Sequence, residues 1–364
     1  MSEDAASPTL PPPPANPQFW GHRQAVRALA EAIAGGRMHH GWLLAGPRGV
    51  GKATLAYRAA RKLLAQLDAD AGANLFGQPP PLDLDVAPDD AAFRQVAIGS
   101  HPDLRTVELG VHEKTGEPRG EIPVEDVRRL SGFLATTAAQ GGWRVVVVDA
   151  AEDLNRSAAN ALLKQLEEPP ARTVFFLVSH VPGRLLPTIR SRCRLLRLER
   201  LTDDVVLNAL ATQIPSMDAG DQAAILALAR GSIGNALDLA MHDGAALYRD
   251  VASLFAQFPD YDAATVLKLA QSVTGKRNAA RLRCLRLVFE RMLERGMRAA
   301  ATGAFADQGG DLRWAQHGSL DHWLALWDNA RRLFERADAV NLDPQYVVQV
   351  LFNDARTAAA SGRP

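Results

Sequence analysis

Cysteine is scarce. Cys193 and Cys284 are the only two in the chain, and no Cys-x-x-Cys or His-x-x-His pair occurs. Two thiols fit a reducing compartment and cannot by themselves supply a four-ligand zinc site. Long apolar runs are missing too. The run 143–148 is interrupted by Arg144. It has the length of a strand, against the roughly 18 apolar residues of a membrane span. A basic surplus is also absent: 41 Lys and Arg balance 41 Asp and Glu, for a formal net charge of zero. Proteins that grip nucleic acid alone show an excess of positive charge, so any such contact is expected to come through an assembly. The first residues carry neither a basic n-region nor an apolar h-region. Residues 1–17 are acidic, small and proline-rich, and are expected to form a disordered leader on a cytoplasmic protein with no membrane partner.

What is present is the composition of a soluble globular protein, 47% hydrophobic and 23% charged. Its 364 residues exceed one ordinary core and imply two or three domains. In the first part strands and helices alternate. Residues 22–37 place Val26, Leu29 and Ile33 on one helical face, and Gly41–Ala45 is a short apolar strand. A helix follows over 54–67, another over 124–137, and a third over 155–168, with Asn155 as its cap and Pro169-Pro170 as its stop. The runs 144–149 and 173–178 are continuous and β-branched or aromatic, the mark of strands buried on both faces of a parallel sheet. Residues 68–93 break the pattern with six aspartates, Pro79-Pro80-Pro81 and no Lys or Arg, and are expected to be a mobile acidic insertion. Beyond about residue 200 only helical periodicity is found. The expected fold class is therefore α/β followed by all-α: a parallel-sheet domain to residue 200, a small helical domain over 201–243, a larger helical domain over 244–355 and a tail over 356–364.

Gly46-Pro47-Arg48-Gly49-Val50-Gly51-Lys52 fits the phosphate-loop spacing G-x-x-x-x-G-K. The glycines let several backbone N–H groups face one anion, Lys52 reaches toward the outer phosphates, and the next helix adds its positive end. A chance glycine-rich turn is the competing reading, and the strand before and helix after weigh against it. The next position departs from the pattern. A phosphate loop that holds magnesium places Ser or Thr after the lysine. Here Ala53 stands there, and Thr54 comes one residue late, turned about 100° away on a helix. Asp149, at the end of the strand 144–149, suits the second metal-side carboxylate, or simply ends a buried strand. The water-activating glutamate expected next to it is Ala150. Losing a general base costs about 10²- to 10⁴-fold in rate. The loop keeps what holds phosphate and lacks what hydrolyses it. ATP or ADP bound but not turned over is the expected cofactor state, with Gly46 through Thr54 and Asp149 as the nucleotide-binding residues.

Six arginines and one glutamate occupy 184–200. A basic run is usually a solvated face. Within it, however, lies Ser191-Arg192-Cys193. Together with Asn160-Ala-Leu-Leu-Lys-Gln-Leu-Glu-Glu-Pro-Pro170 and Phe175-Phe-Leu-Val178, it resembles the AAA+ clamp-loader subunits of bacterial DNA polymerase III. The resemblance runs from residue 16 to about 354. It implies an AAA+ domain, a helical lid and a helical collar that assembles subunits into a ring. It also implies that Arg192 is an arginine finger, catalytic in trans at the ATP site of the adjacent subunit. Arginine suits that task because it stays charged and offers a planar fork to phosphate oxygens.

Motor subunits of that family keep the full phosphate loop, an Asp-Glu pair and a second sensor arginine. This chain has Ala53 and Ala150, and Gly231-Ser-Ile-Gly234-Asn235 carries Gly234 where that arginine would stand. The profile resembles the stator-like, non-motor member, with little or no ATPase and no polymerase activity of its own. Implied partners are the motor (gamma/tau) and delta subunits, and through the assembly the sliding clamp and primer–template DNA. Many members carry a four-cysteine zinc module after the loop helix; no cysteine lies between Lys52 and Cys193, and no zinc is expected. An active motor ATPase and an unrelated P-loop DNA-repair or signalling protein remain the alternatives. Leu320, Trp323, Leu324, Trp327 and Leu333 form a stripe expected to face a core or, in part, a subunit interface. Cys193 reads as a packed small side chain rather than a reactive thiol.

Overall fold

The computed structural model describes residues 11–69, 82–111, 119–139, 142–275, 278–307, 310–340 and 342–361. They form two compact units that divide between Val205 and Val206.

The first unit is built on a five-stranded sheet: β1 Gly41–Ala45, β2 Leu104–Glu108, β3 Arg144–Asp149, β4 Thr173–Ser179 and β5 Arg194–Arg197. The order across the sheet is β2-β3-β4-β1-β5, and every pairing is parallel. Parallel strands need crossover connections, which the intervening helices supply. These are α2 Lys52–Ala69, α3 Ala91–Ala97, α4 Val124–Ala135, α5 Arg156–Glu167 and α6 Pro187–Ser191, and α1 Arg23–Ala34 precedes the first strand.

Period-two alternation sends successive strand residues to opposite faces. Trp42, Leu44, Val145, Val147, Val174 and Phe176 pack with Leu29, Leu55 and Leu63 of α1 and α2 on one face. Leu43, Val146, Val148, Phe175 and Leu177 pack with Leu130, Leu162 and Ile189 of α4, α5 and α6 on the other. Both faces are buried, and for that reason the strands read as unbroken apolar runs. Asn155 caps α5 by accepting from the Ala158 N–H at 2.9 Å.

Two expectations need correction here. Residues 1–10 of the expected leader lie outside the described residues, but Pro13–Ala15 is a short 3-10 turn. Arg61 of α2 is buried and donates to the carbonyls of Pro14 at 3.1 Å and Asn16 at 2.9 Å. A buried guanidinium needs acceptors, and this proline-rich segment, already limited in φ, supplies them at small entropic cost. Of the expected insertion 68–93, residues 70–81 also lie outside the described residues. The remainder is packed. Asp85 pairs with Arg58, Asp83 with Lys62 at 3.3 Å, and Leu84 is buried. Asp90 caps α3, accepting from Ala92 N–H at 2.7 Å, and Phe93 and Val96 face the core. The acidic average over the segment conceals this short amphipathic helix.

The second unit is helical: α7 Asp203–Gln213, α8 Ala219–Ala229, α9 Ile233–Met241, α10 Gly244–Ala256, α11 Ala263–Ser272, α12 Ala279–Thr302, α13 Leu320–Val340 and α14 Pro344–Ala360. One two-residue antiparallel pair, Ala306–Asp307 with Gly310–Asp311, interrupts the helices. Its core is aromatic. Phe255 packs edge-on against Trp314 at 4.5 Å and Phe289 at 5.5 Å, and Trp323 donates its indole N–H to Ala315 carbonyl at 3.0 Å. The buried face of α13 is Trp323, Leu326, Ala330, Phe334 and Ala337. Leu320 and Leu324 of the expected stripe are exposed. The finer division into a lid over 201–243 and a collar over 244–355 remains an expectation, since both stretches fall within this unit.

Candidate functional site

The loop 46–52 leaves the carboxyl end of β1 and feeds directly into α2. It is pinned at both ends. Gly46 donates to Ser179 carbonyl at 3.2 Å, and Leu198 donates to Ala45 carbonyl at 2.8 Å. A Cβ on Gly46 would stand 2.0 Å from the Leu198 carbonyl oxygen, so only glycine fits. Gly51 has φ +101°, and the Phe19 ring packs against it. His22, just ahead of α1, bonds Val50 carbonyl through Nε2 at 2.9 Å. The loop is thus held by β1, β4, β5 and the segment before α1.

Lys52 is almost wholly buried. Its ammonium donates to the loop's own carbonyls, Gly46 at 2.7 Å and Pro47 at 2.5 Å. Burial pushes its pKa down to about 8, opposed by the nearby carboxylates of Asp149 and Glu152. Asp149 lies across the intervening strand: Ala45 is level with Ser179, and Asp149 with Val178. Burial pushes its carboxyl up to about 6; Lys52 acts against that, while Glu108, Asp153 and Glu152 add to it. A buried cation and carboxylate at the carboxyl edge of a parallel sheet, beside a glycine loop, is where open α/β sheets bind ligands.

The residues present fit a phosphate group better than a metal ion. Loop glycines, helix terminus and ammonium favour an anion. Ala53 packs against the core and Ala150 is buried, and neither offers an oxygen. The nearest substitute, Glu152, is engaged elsewhere: its Oε1 accepts from the backbone N–H of His180 at 2.7 Å and of Val181 at 3.2 Å. Burial works to raise its pKa, yet those amide bonds hold it below the ordinary value. His180 is pushed down to about 4 by burial and by Lys52, so it is neutral near pH 7.

Arg192 lies elsewhere. It caps α6 at the opposite edge of the sheet, two residues before Arg194, which is level with Trp42 at the start of β1. A side chain on Gly41 would meet Arg192 carbonyl oxygen at 3.2 Å. From Gly41 to Gly46 the strand advances about 16 Å at roughly 3.3 Å per residue. The structure therefore brings Gly46 through Lys52 and Asp149 together and leaves Arg192 apart. Its side chain is about a third exposed and pairs with Glu167 at 2.8 Å. The adjoining Cys193 thiol is pushed up to about 12 by burial, as a packing residue would be. In the second unit, Ser232 caps α9 by accepting from Asn235 N–H at 3.2 Å, with Gly234 in the first turn.

Neither Phe19 and His22 as supports of the loop, nor Arg61 as the anchor of the segment before it, nor Glu167 as the partner of Arg192 was legible in the residue pattern. Phe19 and His22 precede the first helix without periodicity. Glu167 stands in a Glu-Glu pair that composition alone leaves anonymous.

A parallel sheet in this order, with a phosphate loop after β1, a carboxylate ending β3 and appended helices, defines the P-loop AAA+ class. The family described as "DNA polymerase III, delta subunit" matches residues 21–202, half of the chain. The chain belongs to that family. It is 40% identical over 207 residues to "DNA polymerase III subunit delta'" of Pseudomonas aeruginosa, covering 57% of each. It is 37% identical over 221 residues to the Escherichia coli K12 protein of the same description, covering 61% of this chain and 60% of that one. It is 28% identical over 268 residues to "DNA polymerase III subunit tau" of Salmonella typhimurium, covering 71% of this chain and 38% of that one. The match thus spans less than two thirds of the two delta' relatives.

Proposed function

We propose that the chain works as the delta-prime subunit of a DNA polymerase III clamp loader. It is a stator that lends Arg192 to the ATP site of a neighbouring motor subunit. In this reading ATP binding by the motor (gamma/tau) subunits is coupled to opening of a sliding clamp on primed DNA. The delta subunit, clamp and primer–template DNA are met through the assembly. The observation that carries the reading is the sheet register. Arg192 sits at the amino end of β5, a strand's length from the chain's own loop, which supports the reading of a guanidinium lent to another molecule. Support also comes from Ala53 and Ala150, which offer no metal ligand and no base, and from the delta' relatives, which match at higher identity than tau. ATP or ADP bound at 46–54 and Asp149, and not hydrolysed, belongs to the same proposal: Lys52 and the loop amides would hold the phosphates.

The test is phosphate release by the purified chain. A stator gives no release above a Lys52→Ala control. A motor subunit gives steady release that Lys52→Ala abolishes, and that outcome overturns the proposal.

A further inference from the structure

Arg192 is held by two acceptors on its own chain. Nη2 donates to Glu167 Oε1 at 2.8 Å, and Nη1 donates to the Thr188 carbonyl at 3.1 Å. Both acceptors stand on anchored elements. Glu167 ends α5, whose Leu166 is buried, and Thr188 lies in α6 beside buried Ile189. Gly41 locks the two elements together. A Cβ there would lie 3.1 Å from Cys193 Sγ and 3.4 Å from Leu166 Cδ2. Glu167 and Arg192 are therefore each one residue from a packed contact at the start of β1. A guanidinium has five N–H donors in one plane. Two bonds from two rigid elements fix that plane and leave three donors outside them. The carboxylate is about half exposed, so solvent screens the pair and limits what it adds to stability.

We propose that Glu167 is a positioning residue for Arg192, resting on the reading of Arg192 as a group lent in trans. An exposed arginine on its own samples many rotamers, and a group that must meet a transferring phosphate loses rate with every displaced ångström. Glu167 holds the fork in one orientation before the neighbouring site closes on it. The pair is a preformed half of a joint.

The experiment uses the full chain assembled with motor ATPase subunits, clamp and primed DNA, and reads kcat and KM for ATP. Glu167→Ala is expected to lower kcat about tenfold with KM little changed, because orientation and not binding is lost. Glu167→Gln keeps an acceptor oxygen and is expected to return kcat to within about twofold of the parent. Arg192→Ala, run alongside, is expected to cost about 10³-fold. Parent-like turnover in Glu167→Ala with loss in Arg192→Ala overturns the positioning role and leaves the function of Arg192 intact. Faster turnover in Glu167→Ala overturns it too, making the pair a restraint. Parent-like turnover in Arg192→Ala removes the premise itself. Unchanged unfolding temperatures of both Glu167 variants establish that a rate loss is not a folding loss.

Discussion

Trp42 and Arg194 stand level in adjacent parallel strands, and from that pairing the separation of loop and finger follows. The chain runs from Trp42 along β1 into the phosphate loop, while Arg192 lies just ahead of Arg194 at the other edge. The length of the strand thus lies between the phosphate cradle and the guanidinium, which is held by Glu167 and Thr188.

Nucleotide held at 46–52 will be held without help from magnesium. Ala53 offers a methyl group where a hydroxyl would ligate the ion. ADP dissociation constants measured with magnesium and with EDTA should agree within about twofold, and Ala53→Thr should open a gap of about tenfold.

Asp149 and Lys52 will titrate as a linked pair. Asp149 is pushed up to about 6, so the native chain holds a proton there that the unfolded chain has released. Its contribution to stability is present below the ordinary Asp range and is lost as pH rises through about 6. Lys52→Met removes the cation that opposes the shift, and the Asp149 pKa should rise by a further unit or so. Carbon-detected NMR of the Asp149 carboxyl measures both values. A downward move in Lys52→Met would contradict the arrangement.

Gly46→Ala will unfold the chain more readily, because the new Cβ would meet Leu198 carbonyl oxygen at 2.0 Å and backbone must move. A loss of about 2–4 kcal/mol is expected. Gly183 faces open space at ordinary φ. Gly183→Ala is the control and should stay within about 0.5 kcal/mol. Denaturant melts of the three proteins decide it.

The sheet was legible because its strands carry their own signal. Val145 to Val148 and Val174 to Val178 are apolar at every position, which only burial on both faces explains. The loop was legible from the spacing of Gly46, Gly51 and Lys52, and its deficits from Ala53 and Ala150. What composition could not reveal were contacts made at a distance in sequence. Arg61 reaches Pro14 and Asn16 from more than forty residues away, which orders a segment that reads as disordered by itself. Asp90 caps a seven-residue helix too short to register as periodic beside six aspartates. Of the α13 stripe Trp323 is buried while Leu320 and Leu324 are exposed, for a geometric reason. Leu320 and Leu324 share an i, i+4 row with each other, but the row that meets the core runs through Trp323, Leu326, Ala330 and Phe334.

The most direct test places two substitutions in the same assembly of this chain with motor subunits, clamp and primed DNA. Steady-state ATP turnover is compared for Arg192→Ala and for Lys52→Ala. A lent guanidinium and a non-hydrolytic cradle predict that Arg192→Ala lowers turnover at the adjoining site by about 10³-fold while Lys52→Ala leaves it unchanged. The reverse pattern, with turnover lost in Lys52→Ala and kept in Arg192→Ala, would contradict the account.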